Sequence, residues 1–304
     1  MWQYESMGVD ESSRWTFELL ANETRLGVIS TLGEASGEGG YATLAFSELQ
    51  AATGVEDNGH FNYHLKKLVG EFIEEREGGY ALTLAGIRAY QAIVAQQLTP
   101  STEMEPFDLH SANDCHCGGE IEAWYEDGRF HAGCKVCDEL IQYYPVSPRS
   151  FDPSDPETLV TAAVRRITRD ESSMLRGVCP YCTGTVTWSV EMPDGYWDEN
   201  GMRREDIVAQ VACDNCAWFM YGRVGGKARF NTIISSFLAT HGHDPWREPP
   251  WGEPYGYEEH VLNEEPWRVE LTYKLGGDEL TVTVDGDLNV TDHELAEGAV
   301  DREN

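Results

Sequence analysis

The chain of 304 residues carries 53 Asp plus Glu against 22 Lys plus Arg, a formal net charge of −31 with a sequence pI near 4.5. Its 41% hydrophobic and 11% aromatic content, with nine Trp, can fill packed cores and excludes a disordered acidic solubiliser; no apolar run approaches the ~20 residues of a membrane-spanning helix. The opening MWQYESMGVDE has neither a basic n-region nor an apolar h-region, so no signal peptide is expected and the location is read as cytoplasmic. The length predicts two or three compact units. The acidity is spread along the chain, beside 17 Arg and only 5 Lys, and is read as adaptation to a halophilic, salt-rich cytosol, with structure lost in dilute buffer.

The elements predict an α+β fold. Residues 1–100 are expected to form a short helical domain with a hairpin. RWTFELL is a helix ending at Ala21-Asn22, and Asn22 caps ETRLGVISTLG, where Leu26, Ile29 and Leu32 fall at helical spacing. After Gly37, Gly39 and Gly40, Ser47 with Gln50 three residues on predicts a capping box, with Leu49 and Ala52 inward. Thr53-Gly54 turns the chain, and Asp57 or Asn58 caps HFNYHLKKL. There Phe61, Leu65 and Leu68 share one face, Asn62, Tyr63, Lys66 and Lys67 lie on the others, and His64 is a core residue. Helix, short glycine turn, helix is a helix-turn-helix. FIEEREGGYAL then makes two strands about Gly78-Gly79, placed as a wing, and Thr83 starts a last helix with Leu84, Ile87, Val94 and Leu98 inward.

Eight cysteines fall into four close pairs: Cys115 with Cys117, Cys134 with Cys137, Cys179 with Cys182, and Cys213 with Cys216. Two such knuckles aim four thiolates at one point, the S₄ set that Zn²⁺ prefers, so two zinc-ribbon-like modules with one structural zinc each are expected, at residues 108–147 and 177–223. EIEAWYEDGRFHA reads as a hairpin turning at Asp127-Gly128, and VTWSVEM with IVAQVAC as its counterpart in the second module. In the first set, with its shorter CxC knuckle, His116 or His131 is an alternative ligand. Disulfides are disfavoured without a secretory signal, and a redox dithiol does not need four pairs.

A linker helix is expected over 154–176, with Leu159, Ala163, Val164 and Ile167 on one stripe and Arg165, Arg166 and Arg169 as a solvated face. Residues 224–292 read as a helix, NTIISSFLATHGHDPW, and a closing hairpin, WRVELTY with LTVTVDG, packed on the ribbons; His241, His243 and Asp244 close the helix. Residues 293–304 are expected to be a mobile tail. Trp124, Trp188, Trp197, Trp218, Trp246, Trp251 and Trp267 are read as filling thin cores rather than lining an effector pocket.

LANETRLGVISTL, FNYHLKKLVGEFI and GGYALTLAGIRAY resemble, in order, the opening, recognition-helix and wing segments of the winged helix-turn-helix regulators of the ArsR class, over most of residues 14–98. WYEDGRF and the closing hairpin are similar to regulators of halophilic archaea that append Cys-rich ribbons. The resemblance implies a sequence-specific transcription regulator that binds double-stranded DNA as a homodimer through its first and last helices; no effector is implied. Residues 1–98 contain no cysteine, so metal sensing through the cysteine pair of the family's sensors is not expected. By position, Asn58, His60, Asn62 and Tyr63 are assigned to base edges or nearby phosphates, Lys66 and Lys67 to phosphates, and Arg76 to the minor groove or backbone beside the wing. Six basic against fourteen acidic residues leave this domain net negative. At molar salt the Debye length is about 3 Å, so a local patch suffices. The rival expectation is a zinc-ribbon interaction adaptor of the transcription machinery without sequence-specific DNA binding. No local motif supplies a nucleophile, base and orienting carboxylate, so an enzyme is not expected.

Overall fold

The computed structural model describes residues 11–35, 42–96, 102–110, 115, 117–192, 207–216, 218–251 and 255–298. The chain divides into two compact units, residues 1–100 and 101–304, in a mixed α+β architecture of small antiparallel sheets and helices.

The first unit runs α1 (Glu11–Leu20), α2 (Glu23–Glu34), α3 (Phe46–Thr53), α4 (Asn58–Leu68), β1 (Ile73–Arg76), β2 (Gly79–Leu82) and α5 (Leu84–Ala95). Asn22 caps α2 by accepting the Arg25 N–H at 3.2 Å, and the Arg25 guanidinium turns back to the carbonyls of Glu18, at 3.0 Å, and Leu19. One residue pair thus joins the two helices, satisfying donors at one end and acceptors at the other. Gly54 takes the left-handed conformation between α3 and α4, and the Asp57 carboxylate accepts the His60 N–H at 2.5 Å to start α4.

The expected Ser47–Gln50 box is not used. Helix α3 starts at Phe46 with Ala45 as its cap, and the Glu48 carboxylate accepts the Ala45 N–H at 2.8 Å. Gln50 instead donates to the carbonyls of Val55 and Glu56 beyond the helix. The earlier start sets Phe46 edge-on against Phe61, with ring centroids 5.1 Å apart. Val28, Ile29, Leu32, Leu49, Phe61, Leu65, Leu68 and Ile73 are fully buried together. Strands β1 and β2 pair antiparallel, and Leu44 bridges to Tyr80 on their outer edge. At Gly79 a Cβ would stand 2.0 Å from the Leu44 carbonyl oxygen, and φ is +152°, so the strand start requires glycine.

Helix α5 corrects one expectation. It faces the core through Gly86, Ile87, Ala89 and Tyr90, which leaves Leu84 71% and Val94 41% exposed; Leu98 lies outside the described residues.

The second unit contains one plan twice. In the first copy β4 (Ile121–Glu126), β5 (Arg129–Cys134) and β6 (Leu140–Pro145) form an antiparallel sheet; in the second, β7 (Val186–Glu191), β8 (Val208–Cys213) and β9 (Phe219–Arg223) do the same. In each, one cysteine pair precedes the first strand and the other begins at the last residue of the second. β3 (Met104–Asp108) adds an edge to the first sheet, so that module begins before the expected residue 108. The β4–β5 turn falls on Asp127 and Gly128, both with positive φ, as a two-residue hairpin with native twist requires.

Helix α6 (Pro156–Met174), capped by Asp155 and led by proline at its first position, lies between the copies in sequence. Leu159, Ala163, Val164 and Ile167 are buried against Ile121, Ala123, Tyr125 and Phe130 of the first sheet, and Met174 reaches the cysteine-bearing core of the second. Helices α7 (Val224–Ala228) and α8 (Thr232–Thr240) follow. The expected closing hairpin is the middle of a four-stranded sheet, β10 (Tyr257–Glu264), β11 (Trp267–Leu275), β12 (Asp278–Asp285) and β13 (Val290–Ala296), in that order. Residues His293 to Ala296, expected to belong to a mobile tail, pair with Val282 back to Glu279, because β12 has a free edge that β13 satisfies. Residues 299–304 lie outside the described set. Ile234, Phe237 and Leu238 of α8 pack on Val269, Leu271, Tyr273 and Val282 of the sheet.

The tryptophans divide. Trp251 is buried on Phe130, and Trp188, Trp218 and Trp267 pack against cores. Trp246 is 44% exposed, and Trp197 lies outside the described residues.

Candidate metal centres

The fold gathers all eight cysteines into two groups, Cys115, Cys117, Cys134 and Cys137, and Cys179, Cys182, Cys213 and Cys216, the sulfurs of each lying within 4.8 Å of one another. Strand ends set the geometry. Cys134 and Cys213 are the last residues of β5 and β8, and they pair across the ladder with Ile121 and Val186, the first residues of β4 and β7. Three of the four knuckles close alike: the N–H of Cys134, Cys179 and Cys213 donates to the carbonyl of Glu139, Gly184 and Trp218, five residues on in each case. The CxC knuckle is one residue shorter and closes on the fourth residue, Cys115 N–H to Gly119 carbonyl at 3.0 Å.

Facing sulfurs stand 3.6 Å apart in Cys115–Cys137, 3.5 Å in Cys117–Cys134, 3.7 Å in Cys179–Cys216 and 3.4 Å in Cys182–Cys213. All are far wider than the ~2.05 Å of a disulfide bond, and none of the eight cysteines is in a disulfide. Backbone N–H groups of Cys137 and Val136 bring the Cys134 thiol down to about 7. The Gly184 N–H and the Asn215 side chain bring Cys182 down to about 6. Burial pushes Cys115 well up, and Cys216 up to about 12. Each group therefore has a sulfur that ionises readily and one that resists. Four thiolates at this spacing repel one another unless a cation lies among them, so the two Cys₄ groups are suited to hold one metal ion each.

His131 is not drawn into the first group. Its ring stacks flat on Trp124, 4.9 Å away, on the sheet. His116 lies outside the described residues. His241 and His243 close the end of α8 as expected, bonding separately to Asp278 at 3.2 Å and Glu248 at 3.3 Å.

On α4 the exposed side carries Asn58, His60, Tyr63, Lys66 and Lys67, with Asn62 half-buried. Lys67 lies over the Tyr63 ring at 5.8 Å. Arg76 is held by Glu74 within its own strand, at 2.5 Å, which reduces its availability to an outside anion. His60 and His64 meet ring nitrogen to ring nitrogen at 3.1 Å, and Arg25 comes within 3.3 Å of the other His64 nitrogen. Burial first, then His60 and Arg25, hold the buried His64 imidazole below its ordinary value. Folding therefore favours neutral His64, and that contribution is present above pH ~6.5 and lost as pH falls below it. The first unit is expected to have a lower urea midpoint at pH 5.5 than at pH 7.5, with the difference reduced in His64→Gln.

Sequence reasoning missed a buried ion network on α6. Asp170 is fully buried and accepts from Arg166 Nε at 2.8 Å, from Arg169 at 2.8 and 2.6 Å, and from the hydroxyls of Tyr144 at 3.0 Å and Tyr181 at 3.4 Å. Tyr144 belongs to β6 and Tyr181 to the Cys179–Cys182 knuckle, so this carboxylate ties the two modules. Next to it Glu171 is bound by Lys227 and Arg229, each at 2.5 Å. Arg166, expected on a solvated face, is thus mostly buried and paired. The available signal was two consecutive acids in the last turns of a helix, where the dipole disfavours them.

No described helix is long and apolar enough to cross a membrane. No curated protein and no solved structure matches the chain. Residues 13–93 match a family described as a domain of unknown function (DUF7347), a span inside the first compact unit. Residues 112–290, more than half of the chain and containing both Cys₄ groups, match a second model, and the protein belongs to the family it defines, described as a domain of unknown function (DUF7351).

Proposed function

We propose that this protein is a cytoplasmic DNA-binding transcription regulator, with a winged helix-turn-helix in its first unit and two zinc-ribbon-like modules, each holding a structural Zn²⁺, in its second. The observation that carries the reading is α4: behind the Gly54 turn its apolar face is fully buried, while its outer face offers Lys66, Lys67, Tyr63, Asn58 and His60 with the β1–β2 hairpin following. A helix of this kind fits the major groove, with the lysines on phosphates and the polar side chains at base edges. Exposed Trp15 and Phe17 on α1 and Leu84, Ile93 and Val94 on α5 are apolar surface of the kind a homodimer buries. The metal reading rests on the donor set. Four sulfurs about 2.3 Å from one zinc ion lie about 3.8 Å apart, close to the facing distances found here. Closed S₄ sets leave no open position for catalysis.

Binding to genomic fragments in concentrated potassium chloride tests the proposal. Sequence-selective binding is expected, and Lys66→Ala with Lys67→Ala should weaken it at least tenfold and flatten the log–log salt slope by about 2, one step of ~0.9 per phosphate contact. Absence of selective binding, or binding unchanged in the double variant, would return the protein to the interaction-adaptor reading.

A further inference from the structure

The carboxyl-terminal half of α6 and the turn after it carry a second surface that neither the metal centres nor α4 uses. Thr168, Ser172 and Arg176 recur every fourth residue, flanked by Arg169 and Ser173, and with Val178 and Trp246 they line an open groove of about 470 Å³. A groove of that size suits a small molecule.

Its chemistry is anion-binding. Arg169 uses Nε and one terminal nitrogen on Asp170 and has its other, Nη1, unengaged among the described residues. Arg176 and Ser172 have no side-chain partner among them either. Thr168 is 7% exposed, and its hydroxyl is buried without a partner. Ser173 is spent on the Val178 carbonyl. Charge agrees: Asp170 faces two arginines, and Glu171 faces a lysine and an arginine. With Arg176 this stretch has a positive excess inside a chain of net charge −31. The carbonyls of Ser173 and Met174 at the helix end already accept N–H groups from Arg176, Val178 and Gly177, which blunts the negative pole of the helix.

The free donors number roughly eight, whereas a carboxylate offers about four acceptor positions. A phosphate monoester, with three terminal oxygens, fits that excess better. Trp246, tilted on Phe230 at 4.6 Å, leaves part of its ring open on the groove's apolar side, where Val178 is also exposed. A planar ring can stack there. We propose that this groove binds a phosphate monoester carrying a planar ring, of the nucleoside monophosphate class.

The test is calorimetric titration of the metal-loaded full chain, in the salt in which it folds, with adenosine monophosphate, inorganic phosphate, adenosine and benzoate. One adenosine monophosphate per chain is expected, with inorganic phosphate weaker and adenosine and benzoate unbound. Arg176→Gln should weaken the nucleotide at least tenfold and Ser172→Ala severalfold, both changes lying at positions that leave the core intact. Trp246→Ala should weaken the nucleotide and spare inorganic phosphate. Failure of the nucleotide to bind, equal binding by benzoate, or indifference to Arg176→Gln would overturn the proposal. The readout is ligand binding alone, so it does not depend on DNA recognition.

Discussion

Chelation of the metal is expected to release two equivalents of zinc per chain and to unfold the cysteine-bearing end of the second module. The reason is the size of what remains. Met174, Cys179, Val186, Val211 and Cys213 are the buried residues of the core at that end, and two of the five are metal ligands, whereas Val190, Ile207 and Ala209 at the far end of the same sheet belong to the core shared with α7, α8 and the four-stranded sheet. Apparent binding energies of structural zinc are about 10–16 kcal/mol, larger than the stability of many whole domains. The first module is backed differently. Its sheet lays Ile121, Ala123, Tyr125, Phe130 and Tyr144 on Leu159, Ala163 and Ile167 of α6. Chelator titration followed by circular dichroism and by a colorimetric zinc indicator should therefore show unequal losses. Cys213→Ser should abolish one zinc and part of the second module's strand signal, while Cys117→Ser removes one zinc and leaves most of the first sheet. The first unit has no cysteine, so its thermal transition should be unmoved by chelator. Purified protein without zinc that keeps its fold would remove the structural role.

What the sequence made legible was local. Asn22 and Thr83 stand at the helix starts expected of them, and Asp57, one of two candidates with Asn58, caps α4, because capping needs only a side chain and an N–H three residues on. The Asp127-Gly128 turn and the cysteine pairings followed from spacing in the same way. Other errors arose where a distant partner decides the outcome. Residues from His293 on read as tail because HELA has no apolar alternation, yet the free edge of β12 recruits them into β13 through backbone groups that no side-chain pattern reports. Leu84 and Val94 fit an inward stripe by composition, but Gly86 and Tyr90 set the face that α5 turns to the core. His131 suits a metal by residue type, but the ladder places it opposite Trp124. Arg166 reads as solvated because in most helices arginine is; only the fold shows that Asp170, Tyr144 and Tyr181 gather around it, while Arg165 is exposed as expected.

Removing the Glu171 carboxylate is expected to cost about 3–5 kcal/mol, the usual effect of breaking a buried pair by deleting one partner. Glu171 is 2% exposed, and so is Arg229, whose Nε already has no hydrogen-bond partner among the described residues. Glu171→Gln keeps the volume and leaves Lys227 and Arg229 as uncompensated buried charges, so urea midpoints of the second unit should fall sharply. Replacing Lys227 by Met in that background should recover part of the loss by removing one orphaned charge. Burial raises the Glu171 carboxyl, but Arg229 and Lys227 outweigh it and hold the group below its ordinary range. The pair's contribution is therefore present above pH ~4.3 and lost as pH falls below it, and the wild type should converge on Glu171→Gln in acid. Salt separates this pair from the surface ones. Arg14–Glu18 stands in solvent, and molar salt with a ~3 Å Debye length should erase its contribution. The Glu171 cluster is out of reach of that screening, so the penalty of Glu171→Gln should be the same in dilute and in concentrated potassium chloride wherever the unit is folded. A penalty that shrinks with salt would mean that water and ions enter the α6 core.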